Sequence, residues 1–280
     1  MATIQANIRY PSLGRTLTTR LYFPTDLPSS VGNRVKGVIT LLHGYTNTGA
    51  DWMEYSAAIR YAADNGYILV APNADNSFYL NQKYGTPFYT AITEELPTQL
   101  ASIFRIPTER ENNYIAGLSM GGYGAMLIGL SHPERYAAIG SFSGALDMGG
   151  MLQAARANPA FRPMFAPIFG DELELTENAD LFALAKKMAK LPKQQQPRLF
   201  ITCGDEDDDE QLILTQNQNF YNAIQNLPLE YRYTTWPGVH EWNFWDRSLA
   251  EFIGFVQNSG YGKRKCADWA APHTTEITHP

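Results

Sequence analysis

Asn113-Tyr-Ile-Ala-Gly117-Leu-Ser119-Met-Gly121-Gly-Tyr-Gly124 decides the fold. A short apolar run reaches a glycine, passes through a serine and enters a segment dense in glycine and alanine. Gly117-Leu-Ser-Met-Gly121 fits G-x-S-x-G, the nucleophile elbow. The pentapeptide alone is a weak signal. Its position, directly after a strand and at the opening of a helix, gives it force. Such a turn is sharp and holds the serine in strained backbone geometry, and side chains at the two flanking glycines would crowd the neighbouring strand or helix. Gly122, Gly124 and Ala125 extend the small-residue run. Each glycine inside a helix costs about 1 kcal/mol against alanine, so the cluster implies close helix–sheet packing.

Outward from this turn the chain alternates strands and helices. Val38-Ile-Thr-Leu-Leu42 is almost wholly apolar, as a strand buried on both faces must be. Residues 67–71, 113–116, 137–142, 198–202 and 230–235 read as further strands. Helices are expected over 52–63 with Asp51 as its cap, over 88–104 with a kink at Pro97, and over 123–130, 210–224 and 242–256. Residues 4–9 and 16–23 alternate apolar and polar side chains and read as an antiparallel edge pair. The whole predicts an α/β domain with a doubly wound, mostly parallel sheet. Residues 144–196 break the rhythm with helical patches near 151–157 and 179–191 around a loop holding Pro159, Pro163 and Pro167. They read as a small helical insertion over one end of the sheet. A single domain over 1–260 and a loosely attached tail over 261–280 are expected.

The 280 residues carry 22 Lys+Arg against 28 Asp+Glu, a formal charge of −6. A mildly acidic chain without a basic block argues against nucleic acid and against an electrostatic membrane anchor. Two cysteines, Cys203 and Cys266, cannot build a disulfide framework, and Cys203 reads as a buried free thiol. The start, Met1-Ala-Thr-Ile-Gln-Ala-Asn-Ile-Arg9, has no apolar core of signal-peptide type, and no stretch is long enough to span a membrane. The expectation is a cytoplasmic protein acting on a small molecule, with a homo-oligomer left open.

A serine hydroxyl needs a base, and in this fold the partners follow in the order Ser, acid, His. Of five histidines, His43 precedes Ser119, His132 follows it on the same helix, and His273 and His279 sit in the tail. His240 lies in a loop between a strand and the last helix, where a base at the sheet end belongs. The acid belongs after the strand 198–202, in Gly204-Asp-Glu-Asp-Asp-Asp-Glu210, where Asp205, Asp207 and Asp208 all qualify on chemistry alone. The oxyanion hole needs two backbone N–H groups, that of Met120 and one from His43-Gly-Tyr-Thr46, with Tyr45 the best candidate. His43 itself reads as a structural hydrogen-bonding residue. Trp52, Phe78, Tyr79 and Trp242 could wall an acyl pocket or equally pack the core.

Rival motifs fail on detail. Gly117 and Gly122 have P-loop spacing, but Tyr123 stands where lysine is required. His240-Glu241 begins a zincin-like pair, but Phe244 replaces the second histidine. Asp205, Asp207 and Asp209 suggest a calcium loop, but its sixth position is Glu210 and its twelfth Gln216. Neither a metal nor a cofactor is called for.

Several segments together resemble the esterase D-like branch of the α/β-hydrolase superfamily, and within it the tributyrin esterases. They are Leu41-Leu-His-Gly-Tyr-Thr46 with Asp51-Trp52, Pro72-Asn-Ala-Asp-Asn-Ser-Phe-Tyr79, Gly117–Gly124, Cys203-Gly-Asp-Glu-Asp207 and Gly238-Val-His-Glu-Trp-Asn-Phe-Trp-Asp246. The resemblance implies a serine carboxylesterase for short-chain acyl esters that works through an acyl-enzyme. It selects Asp207 as the acid, giving the triad Ser119, Asp207, His240. Asp208-Asp209 and the insertion near 154–167 depart from the family pattern. Related branches include feruloyl and acetyl-xylan esterases, S-formylglutathione hydrolases and acyltransferases; a binding module on an inactive scaffold is the rival from another class.

Overall fold

The computed structural model describes residues 1–25, 27, 32, 35–208, 212–262 and 275–280. Its centre is one nine-stranded sheet in the order β1-β2-β4-β3-β5-β6-β7-β8-β9. β1 (Ala2–Tyr10) and β2 (Arg15–Phe23) form the antiparallel edge pair that their alternation predicts. β3 (Gly37–Leu42), β4 (Tyr67–Pro72), β5 (Asn113–Leu118), β6 (Ala138–Phe142), β7 (Arg198–Gly204) and β8 (Tyr231–Trp236) run parallel. This is the mixed, mostly parallel sheet of an α/β-hydrolase. β4, β5 and β6 are buried almost without interruption because helices cover both faces.

Two apolar layers sandwich the sheet. One face carries α1 (Asp51–Glu54), α2 (Ala58–Asn65) and α10 (Trp242–Val256). The other carries α3 (Phe88–Thr90), α4 (Leu96–Phe104), α5 (Met120–Ser131), α6 (Met148–Ala157), α7 (Arg162–Phe169), α8 (Leu181–Met188) and α9 (Ile213–Ile224). In α5 every residue from Met120 to Leu130 is buried. The sheet lies on one side of it and α8 on the other, and the Tyr123 hydroxyl donates to Ala179 O at 2.7 Å. Its glycines serve this: a Cβ on Gly129 would lie 2.4 Å from the Ile139 side chain of β6.

Five expectations need correction. The helix predicted over 52–63 is broken into α1 and α2. The buried carboxylate of Asp246, on α10, accepts from Ala57 N–H at 2.6 Å and from the Tyr61 hydroxyl at 2.7 Å, which fixes the start of α2. Asp51 does not cap the first helix from outside but is its first residue, its side chain accepting from Thr48 N and Asn47 Nδ2. Between α3 and α4, residues Ala91–Glu95 form a π-helical turn, and the continuous helix passes from it directly to Pro97, which has no N–H to carry the ladder on. The proline-rich loop is helical: Pro163 opens α7, and the Pro167 and Ile168 carbonyls at its end accept from Tyr84 N and Lys83 N. The tail is not loose at either described end. The Tyr261 hydroxyl donates to Asp64, and β9 (Thr275–His279) pairs antiparallel with β8. Its five residues were too few for a periodicity signal. Cys266, Asp209, Glu210 and His273 lie outside the described residues.

Candidate active site

Because β3, β5, β7 and β8 are parallel, the loops that follow them leave the sheet at one edge. These loops carry Tyr45, Ser119, Asp207 and His240. Ser119 is the residue between β5 and α5, with φ 53° and ψ −119°. A non-glycine residue held there is strained, and strain of this kind costs about 1–3 kcal/mol and persists only where the surroundings over-determine it. Here they do. Ser119 N–H donates to Phe142 O at 3.0 Å, and its carbonyl accepts from Gly122 N, Tyr123 N and Ala145 N at 3.0–3.2 Å. A Cβ on Gly117 would lie 2.2 Å from Gly121 O, and one on Gly121 would lie 2.2 Å from Leu42 O. The elbow is thus clamped between β3, β6 and the start of α5, with the serine 8 % exposed.

The loop after β3 packs against the serine. A Cβ on Gly44 would come within 3.4 Å of Ser119 Cβ and 2.6 Å of Leu118. Glycine lets that backbone approach. Among the described residues neither Tyr45 N–H nor Met120 N–H has a protein acceptor, so both are free to receive an oxygen. His43 underlies this loop as a buried brace. Ala74 N–H donates to its Nε2 at 2.9 Å, so Nδ1 carries the proton and donates to Gly44 O at 2.8 Å. Burial lowers the His43 pKa and keeps the ring neutral. The Tyr79 hydroxyl donates to His43 O, and Phe78 N–H meets Met120 Sδ at 3.3 Å, tying the loop after β4 to the elbow.

Of the three competing aspartates, the structure puts Asp207 beside His240. Both of its carboxylate oxygens are 3.1 Å from His240 Nδ1, and the side chain is 2 % exposed against 27 % for the imidazole. A carboxylate only accepts, so Nδ1 carries the proton and Nε2 is left as a proton acceptor. Asp205 is exposed, and the exposed Asp208 accepts from Thr215 N and Thr215 Oγ1 at the start of α9. The other described histidines are engaged elsewhere: His132 with the Tyr89 hydroxyl, His279 with Leu229 O.

Sequence reading missed Trp245. Its ring stands edge-on to His240 at 5.0 Å and 87°, and edge-on to Trp242, which continues to the exposed Tyr55. The spacing Trp242-x-x-Trp245, one helical turn, was the available signal. Trp52 and Tyr79 are fully buried, so core packing describes them better than a pocket wall does. Cys203 is buried and free, with desolvation pushing its thiol pKa up. Among the described residues no group of three or more His, Cys, Asp or Glu is placed to hold a metal ion, and no helix is long and apolar enough to cross a membrane.

Comparison with known proteins places this geometry. A family model described as "Putative esterase" matches residues 11–255. An acetyl esterase of Caldicellulosiruptor saccharolyticus is 28% identical over 260 residues, covering 89% of this chain and 96% of its own. Among solved structures, the fluorophosphonate-binding serine hydrolase FphF of Staphylococcus aureus superposes with a TM-score of 0.77 at 25% identity, covering 91% of this chain and 98% of that one. The S-formylglutathione hydrolase FrmB of the same organism gives 0.75 at 25% identity over the same shares. With a family match that runs from β2 to the end of α10, the chain belongs to this family of esterases, serine hydrolases that act on carboxylic esters.

Proposed function

We propose that the enzyme hydrolyses short-chain acyl esters through Ser119, His240 and Asp207. Ser119 Oγ attacks the ester carbonyl while His240 Nε2 takes its proton. Asp207 holds the imidazole in the required tautomer and stabilises its charged form. Tyr45 N–H and Met120 N–H receive the tetrahedral oxyanion; one such donor is typically worth about 3–4 kcal/mol. His240 then protonates the departing alcohol. Water, activated by the same imidazole, releases the acid from the acyl-enzyme and returns the proton to the cycle.

The observation that carries this reading is the buried Asp207 carboxylate facing His240 Nδ1, on the sheet edge where Ser119 is strained into the elbow. The preference for short acyl chains draws support from the acetyl esterase relative and from the insertion. There α6, α7 and the start of α9 border a mostly apolar cleft of only about 180 Å³, in which Met151, Met164, Phe165 and Leu212 stand beside Asp147 and Asn219. A small-molecule ester is the partner this reading requires. A reducing, cytoplasmic setting belongs to the same proposal, and the free Cys203 supports it.

A series of p-nitrophenyl esters from C2 to C12, kept monomeric, tests the reading. We expect the highest kcat/KM between C2 and C6, without activation at an interface. A higher kcat/KM on C12 than on C4 would overturn the short-chain assignment.

A further inference from the structure

A carboxylate on one nitrogen does not by itself fix an imidazole. Asp207 holds His240 through Nδ1 alone. The loop beneath is well tied: Gly238 O accepts from Glu206 N at 3.2 Å, and a Cβ on Gly204 would lie 2.1 Å from the same oxygen. The ring is another matter. The χ2 torsion of histidine is broad, so the imidazole can swing about the Asp207 contact and carry Nε2 with it. Among the described residues one aromatic ring stands against it. That ring is Trp245, in the first turn of α10, edge-on at 5.0 Å and 87°.

Two observations mark Trp245 as more than filling. It is 5 % exposed, yet its Nε1 is buried without a hydrogen-bond partner, an arrangement that native structures rarely leave unexplained. A phenylalanine would leave no such orphan, so the indole is kept for its reach. Trp245 is also the end of a file of indoles. It packs edge-on against Trp242 at 5.4 Å, and Trp242 packs edge-on against Trp52 at 5.4 Å, the T-shaped geometry that ring quadrupoles favour. Trp52 is fully buried, and its Nε1 donates to Leu42 O at 3.0 Å. Leu42 ends β3, directly before His43-Gly44-Tyr45. The same carbonyl lies 2.2 Å from where a Cβ on Gly121 would be, so it also touches the elbow. The file thus starts at the base and ends on the backbone that leads into the oxyanion loop. Asp246, the residue after Trp245, anchors this turn of α10 to Ala57 N and the Tyr61 hydroxyl.

We propose that Trp245 is a positioning residue: it fixes the ring plane of His240 and, through Trp242 and Trp52, holds the base in register with the oxyanion loop. The inference rests on the esterase reading of Ser119 and His240. Nucleophile, base and oxyanion donors come from separate loops, and a displacement of about 1 Å among such groups can cost about 10²-fold in rate.

The test measures kcat and KM on p-nitrophenyl acetate for Trp245→Leu, Trp245→Phe, Trp52→Phe and the double variant Trp52→Phe/Trp245→Leu. Each kcat is divided by the sites that a fluorophosphonate labels at completion, so unfolded protein is not counted. Trp245→Leu should lower kcat per site by about 10²-fold with KM within about twofold, the pattern of an interaction made in the transition state. Trp245→Phe, which keeps an aromatic edge with less reach, should recover to within about tenfold of wild type. Trp52→Phe should also lower kcat, and its loss should shrink in the Trp245→Leu background, because members of one network are not additive. Proton NMR supplies a signature that packing alone would not move: the His240 Nδ1 proton should broaden in Trp245→Leu as the ring swings. If kcat per site in Trp245→Leu stays within about threefold of wild type and the Nδ1 proton stays sharp, Trp245 only fills the core and the proposal is overturned, whatever the Tm. Losses at Trp52 and Trp245 that multiply in full would overturn the link to the oxyanion loop. A wild type that takes no fluorophosphonate would instead count against the esterase mechanism itself.

Discussion

Asp207 and His240 meet across the ends of β7 and β8, with both carboxylate oxygens 3.1 Å from one imidazole nitrogen. The symmetry of that contact matters. It places the proton on Nδ1 and leaves Nε2 to do chemistry, whatever the small motions of the carboxylate. Its neighbours have no such role. Asp205 faces solvent, and Asp208 is turned toward Thr215.

Asp207→Asn should therefore lower kcat by about 10²–10⁴-fold, because the amide mis-orients the imidazole or favours the wrong tautomer. Asp205→Asn and Asp208→Asn should stay within about fivefold of wild type. Asp208→Asn should leave Tm almost unchanged, since the amide oxygen still accepts from Thr215 N. Steady-state kinetics on p-nitrophenyl acetate with the three variants decides it. A large loss at Asp205 or Asp208, with Asp207→Asn active, would move the acid elsewhere.

The elbow glycines give a contrast in stability. Gly121→Ala places a Cβ 2.2 Å from Leu42 O and 2.7 Å from His43 O, backbone atoms that cannot swing away. It should cost about 1–3 kcal/mol or more and disturb the oxyanion loop as well. Gly149, inside α6, has nothing nearer than Asp147 Oδ1 at 3.6 Å, so Gly149→Ala should add about 0.4–1 kcal/mol. Urea midpoints of the two variants should move in opposite directions.

How much of this was legible beforehand depends on range along the chain. Ser119 and its glycines form a local signal, because the elbow is built from consecutive residues. His240 could be found by order and elimination. The choice of Asp207 could not be made from chemistry alone, since three aspartates within four positions differ only in which way the loop turns them; resemblance selected the one that the fold buries. The break between α1 and α2 was invisible for a related reason: Asp246, which fixes it, is 189 residues from Ala57. β9 escaped notice because five residues of alternating burial carry little pattern, and its support comes from β8 across the sheet.

Stability should fall in mild acid. Burial lowers the pKa of His43 from 6.5, and desolvation does the same, more weakly offset by Glu134, for His132. The folded state keeps these rings neutral where the unfolded chain takes up protons, so the unfolded state is favoured as pH drops below about 6.5. Their contribution is whole above that pH and is lost on the way down. Thermal unfolding from pH 7.5 to 5 should show a declining Tm, and His43→Asn, lower in Tm throughout, should show a shallower decline. Equal slopes for both proteins would remove His43 from the account.

The central claim is that Ser119 is the nucleophile, and covalent titration reads it directly. Incubation with a fluorophosphonate should add one adduct per chain, seen by intact mass, on the peptide that contains Ser119, with hydrolysis of p-nitrophenyl acetate lost in proportion. Ser119→Ala, folded by circular dichroism, should take no label and lose activity by several orders of magnitude. Label on another residue, or activity of Ser119→Ala within about tenfold of wild type, a barrier change of only ~1.4 kcal/mol, would contradict it.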